Sequence, residues 1–364
     1  MIVVTRAGKR YPIVAEFFQQ LINGLSSGAV YALFSLGFTL VFGVLDLLNL
    51  AHGANYMWGA FAGWVLVTRL NLPILVALPG AMLIAGSLAV LLDRLAFKPL
   101  RALTPGSGLL WTGFALLLLA LVIHWSTPLR AGLALVAVLA MLAGIFMDER
   151  GIGPVRERDV PHLSPMISSI GASIVLVSLA NGTFGTQQSR FPAGTFPQTR
   201  FELGGGISVS LLQVMILVCA VILMVVLRWL IAHTRTGRAI RSIAWSERTS
   251  RLLGVDVDRV IAQTFFLSGA LAGAAGVLFG LLFASVRSDM GARIEIIGLT
   301  VIIVGGMGSI PGAIVGGFLI GLIQTFSVAF VESSFRDAIV FFLLLIVLLI
   351  RPSGIFGKSA ATRA

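Results

Sequence analysis

The sequence predicts an all-α polytopic membrane protein, a bundle of about ten transmembrane helices with broken or re-entrant segments. Three observations carry that prediction. Of 364 residues, 57% are hydrophobic and only 11% charged, where soluble domains hold roughly 45–50% and about 25%. Mean hydropathy is +1.00, and apolar runs recur at lengths that cross a hydrocarbon core of about 30 Å at ~1.5 Å per residue. Glycine occupies 41 positions, well above an average of about 7%, and membrane helices use small residues to bring backbones close. A membrane β-barrel would alternate apolar with polar residues, which these runs do not. The single Cys219 excludes disulfide scaffolds and multi-cysteine zinc or iron–sulfur sites.

In chain order the apolar spans fall at 13–45, 53–68, 74–93, 109–124, 130–147, 163–182, 208–231, 260–286, 294–307, 311–331 and 338–350. The first run continues past Ser26, Ser27 and Gly28, so it reads as mature protein rather than a cleaved signal. Basic residues set the orientation. Loops 94–107, 148–162 and 232–259 carry Arg94, Lys98, Arg101, Arg150, Arg156, Arg158, Arg235, Arg238, Arg241, Arg248, Arg251 and Arg259, and the tail adds Arg351, Lys358 and Arg363. The intervening segments hold only Arg69, Arg130, Arg190, Arg200, Arg287, Arg293 and Arg336. This asymmetry predicts a cytoplasmic C-terminus and assigns the net charge of +11 to the bilayer's inner face rather than to nucleic acid. Parity fails at the front: two crossings between 13 and 68 leave Arg6, Lys9 and Arg10 outside, unless that stretch holds an extra break. Residues 183–207, rich in glycine and proline, read as an external loop too polar for lipid. No linker divides the chain, which reads as one membrane domain over 1–364 with an inserted hairpin at 105–160. No internal repeat is evident.

Polar groups interrupt the first two spans at Asp46-Leu-Leu-Asn49-Leu-Ala-His52-Gly53-Ala-Asn55-Tyr56. Continued as a helix, Asp46, Asn49, His52 and Tyr56 would share about one third of the circumference. Polar groups at membrane depth face protein or water and often mark a permeation path. Two readings stand for the cluster: a broken helix lining a pathway, or a membrane-edge turn whose polar groups satisfy backbone ends. For His52 alone, a hydrogen-bonded core residue is the plainer reading.

The loop at 232–259 combines Gly237, Arg238, Arg241, Glu247, Arg248 and Gly254 with Trp245 and the aliphatic positions Ile240, Ile243, Ala244, Leu252 and Leu253 at near-helical spacing. It predicts one or two short amphipathic helices on the cytoplasmic side. Their role is either headgroup anchoring or docking of a protein, the mixed charge and apolar face favouring the second. Further on, Gly305, Gly306 and Gly308 followed by Pro311 end one helix and start another, while Gly312 with Gly316, and Gly317 with Gly321, place small residues one turn apart for close packing. Gly269, Gly273, Gly276 and Gly280 repeat that pattern upstream.

Enzymatic readings fail on context. Gly357-Lys358-Ser359 imitates the end of a P-loop, yet the upstream glycine would fall at Pro352. Gly24-Leu-Ser26-Ser-Gly28 has the letters of a nucleophile elbow inside a long apolar helix with no preceding strand. His52, His124, His162 and His233 are too dispersed for a metal centre. The chain reads as a non-enzyme that needs no cofactor or metal.

Taken in order, these residues resemble the permease subunits of branched-chain amino acid ABC importers. The likeness rests on Phe18-Gln-Gln-Leu-Ile-Asn23-Gly24 through Gly28-Ala-Val-Tyr31; on Asn49-Leu-Ala51-His52-Gly53 with Tyr56-Met57; on Thr236-Gly237-Arg238-Ala239 through Leu253-Gly254-Val255; on Gly305-Gly306-Met307-Gly308-Ser309-Ile310-Pro311-Gly312; and on Arg351-Pro352-Ser-Gly354. It covers almost the whole chain except 105–160. Three departures stand out: Ala54 where many relatives carry Glu, Trp245-Ser246 in place of an acidic pair, and the additional 105–160 segment.

The resemblance implies a multi-pass protein of the bacterial inner membrane and half of a translocation pore. Its implied partners are a second similar permease, two cytoplasmic ATPase subunits and a periplasmic solute-binding protein. Asp46, Asn49, His52, Gly53 and Tyr56 would then line the pathway, and the 232–259 loop would couple to the ATPases. Two alternatives remain at this level: an ABC permease for urea or short amides, and an ion-coupled secondary transporter, which should show more mid-span ionisable residues.

Overall fold

The computed structural model describes residues 2–4, 10–103, 105–122, 127–149, 156–157, 163–192, 194–197, 199–204 and 207–357. Arg6, Lys9, His124, Arg150, Arg158, His162, Lys358 and Arg363, named above, lie outside them. In chain order, strands β1 (Ile2–Val4) and β2 (Arg10–Pro12) lead into α1 (Ile13–Leu45), α2 (His52–Thr68) and α3 (Ile74–Leu92). A π-helical stretch, Asp93–Phe97, precedes α4 (Lys98–Arg101), β3 (Ala102–Leu103), α5 (Pro105–Val122), α6 (Thr127–Glu149), β4 (Arg156–Glu157) and α7 (Leu163–Phe184). The hairpin β5 (Arg200–Gly204) and β6 (Ile207–Ser210) is followed by α8 (Leu211–His233), α9 (Arg235–Trp245), α10 (Glu247–Leu252) and α11 (Val257–Leu282). The order closes with α12 (Met290–Gly305), α13 (Ile310–Phe330) and α14 (Arg336–Ile350).

This is an all-α polytopic membrane protein. Among the described residues, seven helical segments are long and apolar enough to cross a membrane: 14–45, 74–100, 164–184, 211–233, 257–282, 310–330 and 333–350. The remaining predicted spans fall on α2 and α12, of 17 and 16 residues, and on shorter apolar stretches within α5 and α6.

The chain forms two compact units, Met1–Ala89 with Val175–Ala364, and Val90–Ile174. In the smaller unit, α5 and α6 pack together, with Gly113 against the carbonyl of Ala137 and Met141, around Leu95, Leu110 and Met141. The predicted loop at 94–107 is a correction: residues 93–101 continue as helix, and Asp93, Arg94 and Lys98 are buried. The charges that read as a loop signal are folded into the unit's interior.

In the larger unit, the α1 face carrying Gly24 and Gly28 packs antiparallel against α13, where Gly317 and Gly321 meet the backbones of Ala32 and Gly28. Gly269 and Gly273 of α11 meet Ala81, Ala85 and Ala89 of α3 in the same way. The glycine pairs at 312 and 316 serve a different neighbour: Gly305 and Gly312 face each other across the α12–α13 hairpin, and Gly316 faces the Val301 carbonyl. Gly306, at φ 106°, is the α12 C-cap, and Ser309 caps α13 by accepting from the Gly312 N–H at 3.2 Å, with Pro311 in its first turn.

These contacts reveal a repeat that the sequence hides. Both α1–α2–α3 and α11–α12–α13 consist of a long helix, a break, a short helix and a returning helix, with breaks at 46–51 and 283–289. Asp46 and Ala284, just past the two long helices, both take left-handed φ values, 53° and 48°. The short helix α2 runs parallel to α11 through His52–Ser268, Gly59–Gly273 and Gly63–Val277. Likewise α12 runs beside α1, Gly298 against Phe34. The two contacts use different residues for one geometry, so no letter pattern recurs.

Close approach at Gly321 leaves no room for a side chain. Gly321→Leu should lower the unfolding free energy of the purified protein by at least about 2 kcal/mol, through forced separation of α1 and α13. Gly182→Leu, which meets nothing within 4 Å, should change it by less than ~0.5 kcal/mol in the same denaturation assay.

Candidate functional site

The short helices α2 and α12 begin at one point. Gly53 and Gly291 touch backbone to backbone there, and a Cβ on either would strike the other's carbonyl group. From that point α2 runs toward residues 185–210, where Trp64 Nε1 donates to the Arg190 carbonyl at 2.9 Å. The opposite course is taken by α12, whose C-terminal loop reaches the end of α1 at Gly43 and Gly308. We call the end carrying 185–210 the loop face and the end carrying α9 the α9 face. Because α1 enters from the loop face, with Gln19 Oε1 accepting from the Ser208 N–H at 2.8 Å, its Leu45 end lies near the α9 face. His52 then sits beside Phe34, about 16 Å back along α1 at ~1.5 Å per residue. The link 46–51 is therefore re-entrant.

His52 pins this link. Its Nε2 lies 3.1 Å from the Phe34 carbonyl, which can only accept, and its Nδ1 lies 3.3 Å from Ser268 Oγ. The ring packs tilted against Phe34 and edge-on against Phe38, with centroids at 4.6 and 5.5 Å, and is 1% exposed. Such geometry is that of a hydrogen-bonded core histidine joining α1, α2 and α11. Asn49 ties the link just before α2 by accepting from the Ala51 N–H at 3.0 Å, while its Nδ2 has no partner among the described residues. Tyr56 packs edge-on against Phe34 and Phe279, with its hydroxyl also unpartnered. Asp46 stands apart, exposed on the link. The continuous helical face drawn through Asp46, Asn49, His52 and Tyr56 does not form, because the chain leaves the helix at Leu45.

Two residues outside that set join it. Asn55 is 1% exposed, with neither amide atom partnered among the described residues. Glu295, just over one turn into α12, hydrogen-bonds the Gly53 backbone and leaves Oε1 buried, with no partner among the described residues. The N-termini of two short helices converge here. Asn55 was visible in the sequence motif, whereas Glu295 carried no signal, because only folding brings it to Gly53.

At the other predicted site, Thr234 Oγ1 caps α9 by accepting from the Gly237 N–H at 3.0 Å, and a Cβ at Gly237 would run into the carbonyls of Leu230 and Ile231. Ile240 and Ile243 are buried. Trp245, Leu252 and Leu253 are 84%, 82% and 75% exposed, beside exposed Arg238 and Arg248. Arg241 donates to the Ile231 carbonyl, and Glu247 pairs with Arg251 at 2.8 Å. Gly254, at φ 80°, turns the chain toward α11. The apolar positions thus divide, Ile240 and Ile243 holding the loop to the bundle and Ala244, Trp245, Leu252 and Leu253 facing out.

A family model described as the permease component of the branched-chain amino acid transport system matches residues 20–127 and 106–348. The chain belongs to this permease family. It is 30% identical to the high-affinity branched-chain amino acid permease BraD of Pseudomonas aeruginosa, over 95% of this chain and 98% of the relative. It is also 30% identical to LivH of Escherichia coli K12, over 94% and 96%. The autoinducer 2 import permease LsrD of Yersinia pseudotuberculosis is more distant, 25% identical over 58% of this chain and 63% of the relative. No solved structure matches the chain.

The two polar residues at the α2 start separate by role. His52→Ala should leave a cavity beside Phe34 and Phe38 and take the ring nitrogen from the Ser268 hydroxyl, at a cost of roughly 2–4 kcal/mol, lowering the yield of folded protein and transport together. Asn49→Leu, at a position with an unmet donor, should lower transport while assembled protein stays within about twofold of wild type. Measuring assembly and uptake on one preparation checks both.

Proposed function

We propose that this permease is one half of the pore of an ATP-driven importer, carrying branched-chain or related apolar amino acids that a periplasmic binding protein delivers. Family membership supports transport of this class. The outward-facing Trp245, Leu252 and Leu253 on α9 and α10 support the energy source, because a face of three exposed apolar side chains rimmed by Arg238 and Arg248 fits a protein partner better than a headgroup layer. The ATPase subunits dock there, on the cytoplasmic side given by the positive-inside rule, which also places the C-terminus inside. The second permease covers apolar surface left open on this chain.

ATP-driven movement of α9 reaches α1 and α11, which it contacts, and through them the α2–α12 junction. There Asn49, Asn55, Tyr56 and Glu295 offer polar atoms unpartnered in this conformation, and they form the pathway's narrow section with Gly53, while Asp46 lies toward the cytoplasmic exit. The α5–α6 hairpin is an insertion peripheral to the pore; the family match divides within it, at 106–127.

The docking face is the direct test. Trp245→Ser combined with Leu252→Ser and Leu253→Ser should cut substrate-stimulated ATPase activity of the reconstituted complex at least about tenfold, with membrane insertion unchanged. Unaltered stimulation in that triple variant would remove the assignment. A chain lacking 105–160 that still inserts and assembles should keep measurable uptake; complete loss would move the hairpin into an essential interface.

A further inference from the structure

We propose that a cleft at the loop-face ends of α1, α8, α11, α13 and α14 receives the carboxylate of an amino acid, with Arg336 and Gln324 as its ligands. This rests on the amino-acid reading above and gives it a recognition site distinct from the α2–α12 junction.

The cleft has a volume of about 320 Å3. Its polar wall carries Gln20, Asn23, Gln213, Gln324, Thr325 and Arg336, and among the residues lining it Arg336 alone is charged. The guanidinium binds neutral groups only: Nη2 donates to the Tyr31 hydroxyl at 2.9 Å and to Gln324 Oε1 at 3.0 Å, and Nε donates to the same Oε1 at 3.3 Å. Tyr31 in turn donates to Gln324 Oε1 at 2.8 Å. Nη1 makes no hydrogen bond among the described residues. The positive charge is thus held in place by two side chains that do not neutralise it.

Gln324 supplies the second, independent pointer. Three donors converge on its Oε1, so the amide cannot be reversed without setting its NH2 against a guanidinium and a hydroxyl. Its Nε2 therefore points the other way, and it is buried and without a partner among the described residues, in a residue only 2% exposed. A fixed guanidinium and a fixed, unmet amide N–H beside one cavity are donors waiting for acceptors. A carboxylate offers two oxygens in the plane that the arginine fork matches. Leu282, Phe283 and Val328 form the apolar part of the same cleft and suit an aliphatic side chain. A solute with both features is an α-amino acid with an apolar side chain.

The experiment places one thiol in the cleft, Ala329→Cys in a Cys219→Ser background, within the assembled transporter. The rate of modification is read with a sulfonate-bearing methanethiosulfonate and with its trimethylammonium counterpart, with and without L-leucine or leucinamide, which keeps the ammonium and lacks the carboxylate. We expect leucine to slow the sulfonate reagent and leucinamide not to. Arg336→Gln should abolish that protection and lower the ratio of sulfonate to trimethylammonium rates roughly tenfold, since a cleft of one sign concentrates the opposite charge. Arg336→Lys, which keeps the charge, should retain protection in part. Equal protection by leucine and leucinamide, no protection by either, or protection and ratio unchanged in Arg336→Gln would each overturn the assignment. The wild-type comparison needs no arginine variant, so it stands even where Arg336→Gln fails to assemble. Uptake of labelled leucine by the same preparation separates the two readings: uptake without protection overturns the cleft alone, and absence of uptake overturns the amino-acid reading with it.

Discussion

Backbone contact between Gly53 and Gly291 is the constraint on which the rest of the larger unit depends. A chain that stops being helical inside a bilayer exposes N–H and C=O groups that lipid cannot satisfy, so a break is tolerated only where protein encloses it. Here two breaks enclose each other. The bare backbones let α2 and α12 start at one point, and the residues around that point complete the enclosure: His52 spends both ring nitrogens tying α2 to α1 and α11, Asn49 takes up the Ala51 N–H, and Glu295 faces the Gly53 backbone. Any side chain at either glycine would push the short helices apart and open these bonds together.

The long helices were legible in the sequence because hydropathy and length report directly on crossing a membrane, and the caps at Gly306 and Ser309–Pro311 were legible because glycine and proline act locally. The short helices were read as ordinary spans. Their re-entrant course is a tertiary fact, set by which glycines meet, and a glycine does not name its partner: Gly317 and Gly321 serve α1, while Gly312 and Gly316, in the same run of letters, serve α12. The polar cluster around His52 was found at once, yet its division into a pinning histidine, an asparagine bonded within the link and an exposed Asp46 followed from the left-handed residue that ends α1. Glu295 and the Tyr31–Gln324–Arg336 network were invisible for a simpler reason. Their members lie up to 305 positions apart, and no local pattern links them.

The division of α9 and α10 into inward Ile240 and Ile243 and the outward-facing large side chains of Trp245, Leu252 and Leu253 bears on how the loop would act in the proposed coupling. Ile240 and Ile243 fasten α9 to the bundle, and α9 packs on α1, α8 and α11. The first and last of these are the helices that His52 joins. In the proposed coupling role, a load applied at Trp245 would be carried to the junction through packed, low-compressibility contacts rather than through a flexible tether. Arg241, bonded to the Ile231 carbonyl, stiffens the corner between α8 and α9 along that route.

The segment after α14 closes a gap left much earlier in the chain. The N–H groups of Ile355 and Phe356 donate to the carbonyls of Val304 and Gly305, both at 2.9 Å, and Gly354 and Gly357 lie against Gly306. The last carbonyls of α12 thus find their partners some fifty residues downstream. During synthesis α12 reaches the membrane first and must wait, its end unsealed, until residues 351–357 have left the ribosome. Order of translation then becomes order of maturation: the second half of the repeat is finished last, only when residues 351–357 reach the end of α12.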